Sequence, residues 1–150
     1  EISACLVGSE MCIRDRERLW DEKQGFYVSG AQRQVSWASQ IWLVLAEVGS
    51  AGQRREIMHN LRRHPPAIAM NTPYLRHHYI AALLQCGLRE EAIAEIKAYW
   101  GAMINYGADT FWEIFDPADP EFSPYGSKLI NSYCHAWSCT PAWFIRQYGL

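Results

Sequence analysis

GADTFWEIFDPADPEFSPYGSKLINSYCH, residues 107–135, is the stretch around which the rest of this 150-residue chain is read. It sets one carboxylate, Glu113, between Phe111-Trp112 and Ile114-Phe115, then runs through a Pro/Gly/Ser/Asp-rich segment to His135, flanked by Tyr133 and Trp137. Sequence on either side has helical spacing; this stretch has none. A long loop without its own periodicity inside a helical domain is either functional or disordered, and its aromatic density argues for order.

Upstream, the helices alternate in character. Residues 35–48 are apolar on nearly every side, with Trp37, Ala38, Ile41, Trp42, Leu43, Val44, Leu45 and Ala46, and Gly49 supplies a stop; this predicts an interior helix. Residues 52–64 instead carry one stripe, Ile57, Met58 and Leu61, with Arg54, Arg55, Glu56, Arg62 and Arg63 turned away, as on an outer helix. His64-Pro65-Pro66 breaks it, and Thr72-Pro73 opens the next with a cap residue followed by proline. Tyr74, Leu75, His78, Tyr79, Ala82, Leu83 and Cys86 then recur at helical spacing up to Gly87. A further helix from about Leu88 places Ala92, Ile93, Ile96, Trp100 and Met103 on one face and Glu90, Glu91, Glu95 and Lys97 on a solvated one.

Inner and outer helices joined by short loops form the pattern of a toroid of helical hairpins; a simple bundle obeys the same packing rules. Near the start, Glu17–Trp20 reads as the tail of a helix, and Asp21–Gly30 as a short extended excursion or hairpin arm around Phe26-Tyr27-Val28. Near the end, residues 132–148 are aromatic-rich, and Pro141 predicts a kink or a restart with Thr140 as cap.

Composition narrows the function. Half the residues are hydrophobic (49%), 20% are charged, and the net charge is −2, so no basic field for nucleic acid exists. No apolar run approaches the roughly 20 residues needed to span a bilayer. Seven tryptophans are more than a chain of this size ordinarily carries; they suit either a packed core or a cleft that stacks the CH faces of sugars. Residues 1–16, with Cys5–Arg16 reading CLVGSEMCIRDR, resemble a translated sequencing adapter and are set aside as an assembly artefact. Subtracting their two basic and three acidic residues leaves 12 against 13, a net charge of −1. The expectation is a chain whose natural N-terminus is missing, residues 17–150 being a fragment.

Glu113 is the best candidate for acid–base work. Aromatic neighbours would desolvate it and raise its pKa; the plainer reading is a helix-terminal Glu held by a backbone amide. Asp109 and Asp116 share the loop and could play the same part, though Asp116-Pro117 and Asp119-Pro120 look more like turn formers. His135 could donate to a sugar hydroxyl or sit satisfied in a core, and one of His77-His78 must face inward. Cys134-His135-x3-Cys139, with Cys86 elsewhere, matches no standard zinc site. Cys134 and Cys139 would lie nearly opposed on a helix, so reduced thiols are expected, as in the cytoplasm. No phosphate loop, nucleophile elbow or dinucleotide fingerprint is present, and no cofactor is expected.

From GADTFWE through Asn131-Ser-Tyr-Cys-His135, and over the preceding TPYLRHHYIAALLQCGLREEAIAEIKAYWGAMI, the chain resembles glycoside hydrolase family 78, the bacterial α-L-rhamnosidases. The likeness covers roughly residues 17–150 and is strongest from Thr72 onward. It implies an all-α fold, the C-terminal part of an (α/α)6 six-hairpin catalytic domain, and inverting hydrolysis of terminal α-L-rhamnosides. Glu113 would be the general base, Trp112 an aromatic wall of the sugar subsite, and His135 a sugar contact. The family's general acid lies on an upstream motif that nothing in residues 17–150 matches. Asp109, where Thr is common, and a longer acidic, proline-rich loop after Glu113 depart from the pattern. A non-catalytic carbohydrate-binding toroid, or a six-hairpin enzyme acting on another sugar, are the alternatives.

Overall fold

A computed structural model describes residues 18–150; the proposed adapter segment lies outside them. The chain separates into two compact units between Ala69 and Met70.

In the first unit, strands β1 (Trp20–Asp21) and β2 (Phe26–Tyr27) form a hairpin, Trp20 paired with Tyr27 and Asp21 with Phe26; Trp20, expected in a helix tail, instead opens the first strand. Asp21 builds the turn, its carboxylate accepting the amides of Lys23 and Gln24, and the Arg33 guanidinium beside it holds its pKa low. Gly25 sits at φ +64, a conformation that favours glycine, and a Cβ there would meet Asn60 Nδ2 at 2.3 Å and displace that side chain. Phe26, Tyr27 and Val28 are buried.

Helix α1 (Trp37–Leu45) starts where Ser36 accepts the Ser39 amide. The all-round burial expected of it does not hold. Gln40, Ile41 and Val44 are buried, but Trp42 is 46% exposed. Buried Gln40 replaces the expected apolar contact with a polar one. Its Oε1 accepts the Tyr27 amide at 3.0 Å, and its Nε2 donates to the Tyr27 carbonyl at 2.7 Å. An amide side chain is tolerated there because the strand's unpaired backbone groups need partners. Helix α2 (Ala51–Arg63) matches expectation. A Ser50/Gln53 capping box starts it, and Ile57, Met58 and Leu61 are fully buried, roughly 1.5–3 kcal/mol each.

In the second unit, α3 (Pro73–Gln85) begins at the expected Thr72 cap, and α4 (Arg89–Asn105) folds back on it through Cys86–Leu88. Gly87 takes φ +72 there, letting Leu88 N–H bond the Leu83 carbonyl at 2.9 Å. The interface holds Tyr79, Ile80, Ala82 and Leu83 from α3 and Ala92, Trp100 and Met103 from α4. Two expectations fail here. Tyr99, left out of the expected stripe, is buried. Glu95, assigned to the solvated face, pairs with Arg76, whose guanidinium lies 4.1 Å above the Tyr99 ring. The cation needs both partners because it leaves water when α3 and α4 close.

The last helix, α5 (Thr140–Tyr148), restarts after the loop with Pro141 in its first turn; Cys139 takes the cap position, one residue before the expected Thr140. Arg89 reaches its far end and donates to the carbonyls of Tyr148 and Gly149, a cation on the negative pole of the helix. Phe144, fully buried, packs against His77 of α3.

Candidate active site

Residues 106–139 connect α4 to α5 with only two short 3-10 turns, Lys128–Ile130 and Ala136–Ser138. Buried donors on α4 hold the loop from below. Tyr99 Oη donates to the Phe115 carbonyl at 2.7 Å, and Trp100 Nε1 to the Ser138 carbonyl at 2.9 Å. Ile114 and Phe115 are buried, so the segment just after Glu113 is pinned to the core. Burial of the Tyr99 phenol, above all, drives its pKa far upward, so it remains a neutral donor.

Above that floor the two arms of the loop run side by side. The Glu113 amide donates to the Ser132 carbonyl at 2.8 Å, and the His135 amide to the Phe111 carbonyl at 2.7 Å. Ser138 Oγ donates to the Trp112 carbonyl, Thr110 Oγ1 to the Tyr133 carbonyl, and Trp137 Nε1 to the Glu113 carbonyl at 3.2 Å. The backbone carrying Glu113 is thereby tied to the segment carrying His135, although 22 positions separate them.

The Glu113 carboxylate is half-buried and engaged at both oxygens. Oε1 accepts from Tyr125 Oη at 2.9 Å, and Oε2 accepts from the Ser132 amide at 3.0 Å. Its pKa lies below the usual carboxylate range, chiefly through the Ser132 amide; burial pulls the other way, and the Tyr125 hydroxyl and the nearby His135 add smaller lowering effects. The expected upward shift from aromatic desolvation is therefore wrong. Two hydrogen bonds to the charged form outweigh burial that is only partial. The plainer reading of Glu113 is realised in part, since a backbone amide does satisfy it, though from the opposite arm of a loop and not from a helix end.

His135 is half-buried, accepts the Trp137 amide on Nδ1 at 3.4 Å, and lies against the Trp137 indole with ring centres 4.2 Å apart. Trp112 has different company. Its indole meets Tyr106, Phe115 and Tyr133 edge-on at 6.0, 5.9 and 5.0 Å. The indole that joins His135 to the Glu113 backbone is Trp137. Asp116 makes the expected turn, accepting the Ala118 amide at 2.9 Å. Cys134 and Cys139 are free thiols on the loop, flanking a 3-10 turn, and not on the helix anticipated for them.

Beside Trp137 opens a cavity of about 350 Å³ lined by Tyr74, His77, His78, Trp137, Thr140 and Trp143 among others. His77 Nδ1 lies 3.2 Å from Thr140 Oγ1, and burial lowers the pKa of both histidines. The sequence does not by itself place His77-His78 on a cavity or Tyr125 against Glu113. A lone tyrosine inside a Pro/Gly/Ser run was the available signal, since a solvated turn has no need of it.

No protein-family model matches the sequence, and neither does any curated protein sequence. Solved structures do. A rhamnosidase from Klebsiella oxytoca with rhamnose bound shares 78% identity and superposes with a TM-score of 0.93, covering 99% of this chain. The GH78 family rhamnosidase of Bacillus sp. GL1 shares 27% identity with a TM-score of 0.73 over 91% of this chain. Its structural neighbours are thus rhamnosidases, one of them of family GH78, and the likeness extends over nearly the whole chain. The chain spans 29% of the Klebsiella chain and 15% of the Bacillus one. The all-α fold expected for part of a GH78 toroid stands with that likeness.

Proposed function

We propose that this chain is the C-terminal part of the catalytic domain of an inverting glycoside hydrolase that removes terminal α-L-rhamnosyl groups, with residues 17–150 contributing the general base. What carries this reading is the Glu113 carboxylate, held in its charged form by the Ser132 amide and the Tyr125 hydroxyl. A carboxyl whose pKa is pulled down is ionised at neutral pH, which suits a base that takes a proton from water and disqualifies it as the acid. Inverting enzymes need two carboxyl groups about 6.5–9.5 Å apart, with water between base and sugar. The acid comes from outside residues 17–150. His135 contacts the sugar, and Trp112 contributes an aromatic wall. The rhamnose carried by the Klebsiella relative supports the choice of sugar.

The test is hydrolysis of an aryl α-L-rhamnoside. The purified 150-residue chain gives no turnover, because it holds half of the catalytic pair. The longer protein turns over, releases β-L-rhamnose first by NMR, and loses activity on Glu113→Gln. Turnover by the short chain that Glu113→Gln abolishes, or release of the α-anomer, would refute the reading.

A further inference from the structure

The acidic, proline-rich loop after Glu113 follows a course with a chemical consequence. From Asp116 it turns twice, through the Asp116–Asp119 and Asp119–Phe122 hydrogen bonds, and returns to the site at Tyr125. Four contacts hold its shape. Ser123 Oγ bonds the Ser127 carbonyl at 2.9 Å and Asn131 Oδ1 at 2.8 Å, while Lys128 and Tyr106 both bind the Glu121 carboxylate. Asn131, buried, closes the loop by donating to the Phe122 carbonyl at 3.3 Å. None of these contacts touches Glu113. What they deliver is a phenol, Tyr125 Oη, 2.9 Å from Glu113 Oε1.

We infer that Tyr125 is a positioning residue for Glu113, delivered by this loop to orient the carboxylate; this deepens the proposed role of Glu113 as base and rests on it. A carboxylate bound only through Oε2 by the Ser132 amide can swing about that single bond. A second donor on Oε1 fixes its plane and leaves the remaining lone pairs for the nucleophilic water. The titratable groups facing the carboxylate are Tyr125 from the loop and His135 from the returning arm; both favour the anion, as does the Ser132 amide. The effect is mutual, since the hydrogen bond to the Glu113 carboxylate raises the Tyr125 pKa. Glu113 is the catalytic residue in this scheme, and Tyr125 acts only through it.

The test compares Tyr125→Phe with Lys128→Met, which breaks the loop's ion pair without reaching Glu113. The Glu113 carboxyl is followed by ¹³C NMR in this chain, where the reading does not depend on turnover. Tyr125→Phe moves the Glu113 midpoint up toward the ordinary carboxylate value, and Lys128→Met leaves it in place. In the longer protein, Tyr125→Phe lowers kcat about tenfold, the worth of one hydrogen bond to a charged group, with KM nearly unchanged. The acid limb of the pH–rate profile moves up with it. An unmoved midpoint in Tyr125→Phe, an equal shift in Lys128→Met, or an unaltered kcat would each overturn the inference. Retained hydrolysis in Glu113→Gln would overturn the base assignment instead, while a shifted midpoint would still show the Tyr125 contact.

Discussion

Glu113 and Ser132 face each other through two hydrogen bonds of opposite sense. The Glu113 amide donates to the Ser132 carbonyl at 2.8 Å, and the Ser132 amide donates to Glu113 Oε2 at 3.0 Å. The same residue pair closes the loop and charges the candidate base. Because both groups on Ser132 are backbone, its side chain is dispensable. Ser132→Ala leaves the Glu113 midpoint unchanged and alters stability by less than about 0.5 kcal/mol. A raised midpoint by carboxyl NMR in that variant would show that the hydroxyl matters after all.

Trp100 carries the other attachment that matters to the site. Its buried Nε1 is the donor for the Ser138 carbonyl, two residues before the helix that ends the chain. Trp100→Phe keeps an aromatic ring but strands a buried acceptor, at a cost of about 1–3 kcal/mol. Urea unfolding followed by circular dichroism measures it. Leu129→Ala, at an 88% exposed site, serves as the control and changes stability by under about 0.5 kcal/mol.

Acid acts on the second unit through His77 and His78. Burial lowers both pKa values, so the unfolded chain binds more protons than the folded one at mildly acidic pH. Their contribution to stability is complete above the unfolded imidazole pKa of about 6.5 and drains away as pH falls toward the lowered folded values. Unfolding free energies measured between pH 8 and pH 5 should therefore decline, and the decline should shrink in His77→Gln. An identical slope in the variant would remove His77 from the account.

Exposed apolar side chains set the behaviour of the chain in isolation. Leu129 is 88% exposed, Ile104 66% and Ile130 63%, alongside half-exposed Trp42 and Trp143. Surface of this kind favours self-association and dye binding. The purified chain should bind 8-anilinonaphthalene-1-sulfonate and melt broadly; a sharp, cooperative melt of a monomer would contradict this.

Much of the architecture could be read from the residues. The spacing of Ile57, Met58 and Leu61, the Thr72-Pro73 start and the Gly87 stop depend on local conformation and on one buried face, which periodicity records directly. Errors arose where a side chain's environment depends on distant parts of the chain. Gln40 is buried because a strand 13 positions away needs its amide. Glu95 leaves the solvated face because Arg76 does.

The same division runs through the candidate site. The sequence by itself singled out Glu113, Trp112 and His135, and carried the helical class and the resemblance to rhamnosidases. Only the tertiary structure decided the state of that carboxylate. Its aromatic neighbours in sequence suggested a raised pKa, whereas the fold brings in a backbone amide from position 132 and a phenol from position 125, and these lower it. Hydrogen-bond donors act over about 3 Å, and nothing in a linear pattern reports which donors a loop will carry to within that distance.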